Sequence, residues 1–164
     1  MKQPRRPHEY IEKINDESHH QQAYMCWCNA VARFGFKVAC DWANQLIDLP
    51  QMPTEIQFEP LLWVHHIPNG GARGDDPEMA ARRGNKLKAE GTKKGIWDVF
   101  LPYPVNGKCG LYIEFKDEKY RNHKNGGLKP KQVKFAHFAG KFYRMDIAYS
   151  WIEAVQITLD YIYS

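Results

Sequence analysis

Between Gly95 and Lys116 two short apolar segments, 96–101 and 110–116, are separated by Pro102, Pro104 and an Asn106-Gly107 pair, and nothing else in the chain narrows its fold as much. Proline lacks the amide hydrogen that a strand ladder needs, so Pro102 ends the first segment. Asn-Gly adopts the left-handed backbone of a tight hairpin turn at little cost. The two segments are therefore expected to pair as antiparallel strands. Side chains alternate across a strand, so Glu114 and Lys116 share one face while Phe115 points into the opposite layer. Such a hairpin sets Asp98, on the first strand, beside Glu114 near the end of the second.

Helical periodicity surrounds this pair. Gln21, Tyr24, Trp27, Cys28 and Val31 recur at spacings of three and four and predict a first helix, capped by Asp16 or Ser18 and ended by Gly35. A second helix is expected over 38–49. Residues 60–67 (PLLWVHHI), short, apolar and closed by Pro68-Asn69-Gly70-Gly71, read as a buried strand. A basic helix is predicted over 77–90, and beyond the polar loop 117–127 Pro130 opens a helix carrying Val133, Phe135, Phe138 and Ala139. A strand over 142–148 follows. The last element is an amphipathic helix through Ile152, Val155, Leu159 and Ile162, capped by Ser150 with Glu153 three residues on. This order predicts an α/β fold, a mixed central β-sheet flanked by helices. With 164 residues and 43% hydrophobic content, the chain supports one core rather than two. Residues 1–14, polar and carrying Pro4 and Pro7, are expected to be a flexible arm, and 15–164 a single domain.

The formal net charge of +4 permits a polyanionic partner without demanding one. Its placement says more. From Met79 to Ile96 six basic residues face one acid, Glu90, and from Lys116 to Lys134 seven face Asp117 and Glu118, a local excess of +5 in each case. These segments flank the two strands, where a phosphate backbone would need neutralising; solvated faces and loops are the competing reading. The four cysteines lack zinc spacing, since Cys26 and Cys28 are one residue apart while Cys40 and Cys109 stand alone. They read as reduced thiols. The opening MKQPRRPHEY has no apolar core, and no run approaches the roughly 18 apolar residues of a membrane span, so a soluble protein of the bacterial or phage-infected cytoplasm is expected.

Asp98, Glu114 and Lys116 carry the chemistry. Two close carboxylates do not both stay ionised cheaply unless a cation lies between them, so the pair suits a hard ion, Mg²⁺ or Mn²⁺. Such an ion polarises a phosphoryl oxygen and lowers the pKa of a bound water. Lys116 either orients and helps deprotonate that water, with its own pKa lowered by burial, or stabilises charge developing on the phosphate. The implied reaction is phosphodiester hydrolysis. The acid-to-Glu-x-Lys spacing alone occurs by chance in many soluble proteins.

Several ordered motifs are more specific. His66-Ile67-Pro68-Asn69-Gly70-Gly71, the run Leu87 to Asp98 (LKAEGTKKGIWD), Gly110 to Lys116 (GLYIEFK) and Gly127 to Gln132 (GLKPKQ) resemble the virus-type replication-repair nuclease (VRR-NUC) family of the PD-(D/E)XK superfamily. The resemblance covers about residues 60–162. It implies a restriction-endonuclease-like fold and Mg²⁺- or Mn²⁺-dependent cleavage of DNA, by a stand-alone domain or by a homodimer. It implies that Asp98 and Glu114 are metal-binding acids, Lys116 the catalytic lysine and Gln132 the glutamine opening the helix behind the site. The backbone carbonyl of Phe115 is expected among the metal ligands, as is Glu17, the best match to an acid that the family places on its first helix. Trp97 stands where proline is common in the family, Lys129 where serine is usual, and residues near 36–59 look like an insertion.

For contact with DNA the expected residues are Asn69, Arg73, Lys93, Lys94, Lys129 and Gln132. Asn69 at a turn tip also fits a simple left-handed backbone position, and Arg73 a solvated side chain. His65 and His66 point to opposite faces of a strand and read as structural, His19 and His20 as a polar helix face, and the five tryptophans as core or interface residues. A metal-dependent endodeoxyribonuclease, structure-selective or nicking, is the leading functional expectation. A non-cleaving DNA-binding module on the same fold is the alternative. No P-loop, Gly-x-Ser-x-Gly or dinucleotide fingerprint supports another enzyme class.

Overall fold

The computed structural model describes residues 6–12, 14–42, 58–68 and 76–164. Four strands form one mixed sheet in the order β1 (His65–His66), β2 (Val99–Leu101), β3 (Leu111–Phe115) and β4 (Arg144–Ala148). β1 and β2, and β2 and β3, are antiparallel; β3 and β4 are parallel. The parallel pair needs a crossover, supplied by α4 (Pro130–Ala139). The remaining helices are α1 (Glu17–Phe34), α2 (Phe36–Trp42), α3 (Pro77–Ala89) and α5 (Trp151–Ile162).

Local signals set the helix ends. Asp16 accepts a hydrogen bond from the His19 amide at 2.9 Å and caps α1; Gly35 ends it with φ of 89°, where a side chain would be strained. The Ser150 hydroxyl accepts from Glu153 N at 3.2 Å and caps α5, while the Glu153 carboxylate reaches back one residue past the cap to accept Tyr149 N at 2.8 Å. Asn106 and Gly107, with φ of 46° and 78°, turn the chain between Val105 and Lys108, whose amides and carbonyls bond reciprocally at 3.0 and 2.9 Å. This is the hairpin turn expected from the sequence.

The main core lies between one face of the sheet and α1 and α5. Val99, Leu101, Leu111, Ile113 and Phe115 face Tyr24, Trp27, Cys28 and Val31 of α1 and Trp151, Val155 and Leu159 of α5. Across it Tyr24 and Thr158 share a buried hydrogen bond of 2.8 Å, and Thr158 donates on to the Ala154 carbonyl at 2.7 Å, so neither hydroxyl is left unsatisfied. The opposite face of the sheet carries Phe100, Tyr112 and Glu114. Phe135 of α4 meets Tyr112 edge-on there, with ring centroids 5.2 Å apart.

Three expectations need correction or restriction. Residues 60–67 are not one buried strand: Glu59–Trp63 form a 3₁₀ turn with Pro60 at its second position, and only His65 and His66 pair with β2, both exposed. Proline's fixed φ and missing amide favour the turn, and the edge position leaves the pair open to solvent. Within the stretch expected to be a flexible arm, Pro7–Tyr10 form a 3₁₀ turn with Pro7 buried, and Tyr10 and Ile11 pack against the core. Residues 43–57, most of the expected insertion and the end of the second helix, lie outside the described residues, as do Asn69 and Arg73. Among the described residues no helix is long and apolar enough to cross a membrane.

Candidate active site

Strand register assembles the acids. Val99 lies opposite Ile113, and carrying that antiparallel register one residue further sets Asp98 opposite Glu114. Asp98 sits just ahead of β2, and its carboxylate accepts the Phe115 amide at 3.2 Å, so the first acid is tied to the strand that bears the second. Its backbone carbonyl accepts from Ile67 N at 2.7 Å, which anchors the other side of the same residue to β1.

Glu114 is 1% exposed, although it is charged in its ordinary state. One oxygen, Oε1, accepts from Lys116 Nζ at 2.5 Å and from the Gln132 side-chain amide. The other, Oε2, is buried without a hydrogen-bond partner. Burial, aided by the nearby Asp98 charge and opposed by Lys116, pushes the Glu114 carboxyl up from 4.5 to about 7. An orphaned carboxylate oxygen is costly in a protein interior unless something positive meets it.

Lys116 is 7% exposed, with its Nζ also 3.1 Å from the Phe115 carbonyl. Burial pulls its ammonium toward neutrality, but Glu114, Glu17 and Asp98 together outweigh that effect, and the net displacement is upward. Burial alone would lower its pKa, as the sequence led one to expect; the neighbouring carboxylates reverse that direction.

Gln132 links the second face of the sheet to this pair. Its carbonyl oxygen Oε1 accepts Lys129 N at 2.9 Å and closes the first turn of α4, which leaves its amide free to donate to Glu114. The start of α4 is held in turn by the segment ahead of Asp98. The Trp97 indole donates to the Gln132 backbone carbonyl at 3.2 Å, and Gly95, with φ of 93°, lies so close to α4 that an added Cβ would be 2.6 Å from Lys131 Cβ. The sequence marked Trp97 as a core or interface residue and as a departure from the family's usual proline, but not as a partner of α4.

Glu17, the first residue of α1, accepts the Asp117 amide at 3.0 Å and so meets the end of the Glu114-Phe115-Lys116 segment. It acts on Lys116 through charge. A cleft of about 670 Å³ opens beside this point, lined by Asp16, Glu17, Ser18, Lys116, Asp117, Tyr120, Gly127 and Lys129. Lys93, Lys94 and Lys129 are exposed, the first two in the turn that Gly95 presses against α4. His20 has a role that its sequence context did not reveal. Its Nδ1 accepts the Trp151 amide at 3.2 Å, so a side chain from α1 supports the start of α5.

Comparison with known proteins follows the fold rather than the sequence. No protein-family model and no curated protein matches the chain. A solved structure described as a VRR_NUC domain protein superposes with a TM-score of 0.54 over 90% of this chain and 88% of that chain, at 18% sequence identity. The fold is VRR-NUC-like. This agrees with the restriction-endonuclease-like architecture expected from the sequence, a mixed sheet flanked by helices. In this VRR-NUC-like fold the strands β2 and β3 and the helix α4 converge on Asp98, Glu114, Lys116 and Gln132.

The donor set can be tested for a divalent cation on its own terms. Among the described residues no group of three or more His, Cys, Asp or Glu side chains is arranged to hold a metal. Mg²⁺, however, keeps several waters and is often bound through one or two carboxylates. Asp98 and Glu114 supply two, the unpartnered Glu114 Oε2 is a donor without competing use, and the Phe115 carbonyl is an additional oxygen at the same strand end. The residues fit Mg²⁺ or Mn²⁺ as a largely hydrated ion.

Proposed function

We propose that this protein is a Mg²⁺- or Mn²⁺-dependent endodeoxyribonuclease that hydrolyses DNA phosphodiester bonds, structure-selective or nicking, in the replication, repair or recombination of a phage or bacterial genome. The observation that carries the reading is Glu114: a carboxylate 1% exposed, with a bare oxygen, opposite Asp98 in register and held by Lys116 and Gln132. The VRR-NUC-like fold supports the same reaction class.

Asp98, Glu114 and the Phe115 carbonyl would hold the ion. Bound there, it supplies Lewis-acid polarisation of a phosphoryl oxygen and a water of lowered pKa. Gln132 fixes the orientation of Glu114, so the bare oxygen stays available to a ligand. Lys116 offers its ammonium to the non-bridging phosphate oxygens, where negative charge builds in the transition state. Glu17 adds a further carboxylate that favours the charged form. Exposed Lys93, Lys94 and Lys129 take neighbouring phosphates of the backbone, with Asn69 and Arg73 expected to add contacts, and their contribution should weaken as salt rises. A homodimer would make two cuts at a fixed separation, a monomer one.

The test is cleavage of labelled single strand, duplex, nicked circle, flap and four-way junction, with Mg²⁺, Mn²⁺ or EDTA. Wild type is expected to cut at least one substrate with metal and none with EDTA. Asp98→Ala, Glu114→Ala and Lys116→Ala are each expected to lose about two orders of magnitude or more in rate. Cutting by a clean Glu114→Ala preparation at the wild-type rate would remove the site assignment. Binding without cutting, on every substrate, would favour the non-cleaving module.

A further inference from the structure

We propose that Lys116 occupies the metal site in the metal-free protein as an internal counter-ion, and that arrival of the divalent cation displaces its ammonium into the adjoining cleft, toward substrate phosphate. The proposal rests on the nuclease reading and concerns how that site is regulated.

The ammonium of Lys116 is bonded to Glu114 Oε1 at 2.5 Å and to the Phe115 carbonyl at 3.1 Å. Glu114 and the Phe115 carbonyl are both expected to hold the metal; the ammonium takes the carboxylate's Oε1 and that same carbonyl, and leaves Oε2 bare. A divalent cation on Oε2 and the carbonyl would lie within a few ångströms of the ammonium, where two cations in a poorly solvated site repel each other, so one is driven out. In the metal-free arrangement the lysine neutralises the buried carboxylate that would otherwise stand uncompensated.

The way out is short. Lys116 already forms part of the wall of the cleft lined by Glu17, Asp117, Tyr120, Gly127 and Lys129, so the space its side chain would move into adjoins it. Glu17, anchored by the Asp117 amide, attracts the ammonium from that side. A cation in the site thus exchanges one lysine partner for another and delivers the charge to the side where a phosphate would lie. Metal binding and placement of the lysine become one linked equilibrium: the lysine weakens metal binding, and the metal frees the lysine.

Two measurements test this. In the first, Mn²⁺ affinity is measured at pH 8.5, where proton competition for Glu114 is reduced, for wild type and Lys116→Met, which keeps the chain length and loses the charge. Lys116→Met is expected to bind Mn²⁺ about tenfold or more tightly than wild type, a difference of about 1.4 kcal/mol, while losing cleavage. In the second, the wild-type chain is reductively methylated with and without saturating Mg²⁺, and Lys116 is followed by mass spectrometry. The lysine is expected to be protected without Mg²⁺ and labelled with it. Equal or weaker Mn²⁺ binding by Lys116→Met, with Lys116 labelling unmoved by Mg²⁺, overturns the exchange and leaves the nuclease reading standing. No Mn²⁺ binding by either protein overturns both.

Discussion

Replacing Gly95 by alanine tests whether the turn ahead of Asp98 and the start of α4 are held as one unit. Gly91 and Gly95 make the comparison clean because they share a backbone conformation, with φ of +97° and +93°. A Cβ at either position meets the left-handed strain of an L-residue, about 1 to 2 kcal/mol. Their surroundings differ. A Cβ at Gly91 has no atom within 4 Å, whereas one at Gly95 would lie 2.6 Å from Lys131 Cβ and 2.9 Å from the Lys131 backbone carbon. Those atoms belong to the first turn of α4 and are not a flexible side-chain tip, so the helix start must shift. Forced overpacking of this kind adds about 1 to 3 kcal/mol. Gly91→Ala is accordingly expected to cost about 1 to 2 kcal/mol, and Gly95→Ala about 2 to 5 kcal/mol. A gap of about 2 kcal/mol is about 4 to 8 °C in Tm at this chain length. Urea unfolding and calorimetry in EDTA measure it. A second consequence separates this from general damage: moving α4 carries Gln132 away from Glu114, so Gly95→Ala should lose cleavage even well below its Tm, while Gly91→Ala should not. Equal destabilisation by the two substitutions would refute the close approach as a structural requirement.

Two further outcomes follow from the same contacts. Trp97→Phe removes the indole N–H that meets the Gln132 backbone carbonyl and part of a buried ring; it is expected to cost about 2 kcal/mol in urea unfolding and to slow cleavage, and in a Gln132→Ala background, which keeps that carbonyl, the stability cost should persist while cleavage slows little further. His20 must stay neutral at Nδ1 to accept the Trp151 amide, and burial lowers its pKa from the ordinary 6.5 against the pull of Asp16, Asp117 and Glu153. Since the unfolded chain then binds the proton more readily, the stability contributed by His20 is present above pH 6.5 and lost as pH falls through the folded value. Unfolding measured from pH 7.5 down to 5 should show that slope in wild type and a flatter one in His20→Gln; identical slopes would dismiss the histidine as the cause.

Much of the architecture was legible because its signals are local. Asp16 and Ser150 cap helices through amides three residues away, and Asn106-Gly107 turns through its own backbone angles. Alternation along 110–116 was enough to put Glu114 and Lys116 on one face and Phe115 in the core, where its ring lies 5.9 Å from Tyr24. The turn at Glu59–Trp63 was misread for the complementary reason: a short apolar run has the composition of a strand, and only the fold shows that it turns and buries Leu61 alone.

What the sequence by itself determined is the set of elements, the antiparallel pairing that brings Asp98 to Glu114, and the residue types able to hold a cation and meet a phosphate. Tertiary structure alone decided how those groups are tuned. Gln132 reaches Glu114 across 18 positions, Glu17 meets the Asp117 amide across 100, and His20 supports α5 across 131. The charge state of Lys116 depends on carboxylates from three separate segments, so no window of sequence contains it. Hydrogen bonds and charges act over a few ångströms, whereas a sequence reports neighbours along the chain; the two coincide within a helix turn or a hairpin and part company wherever the fold brings distant segments together.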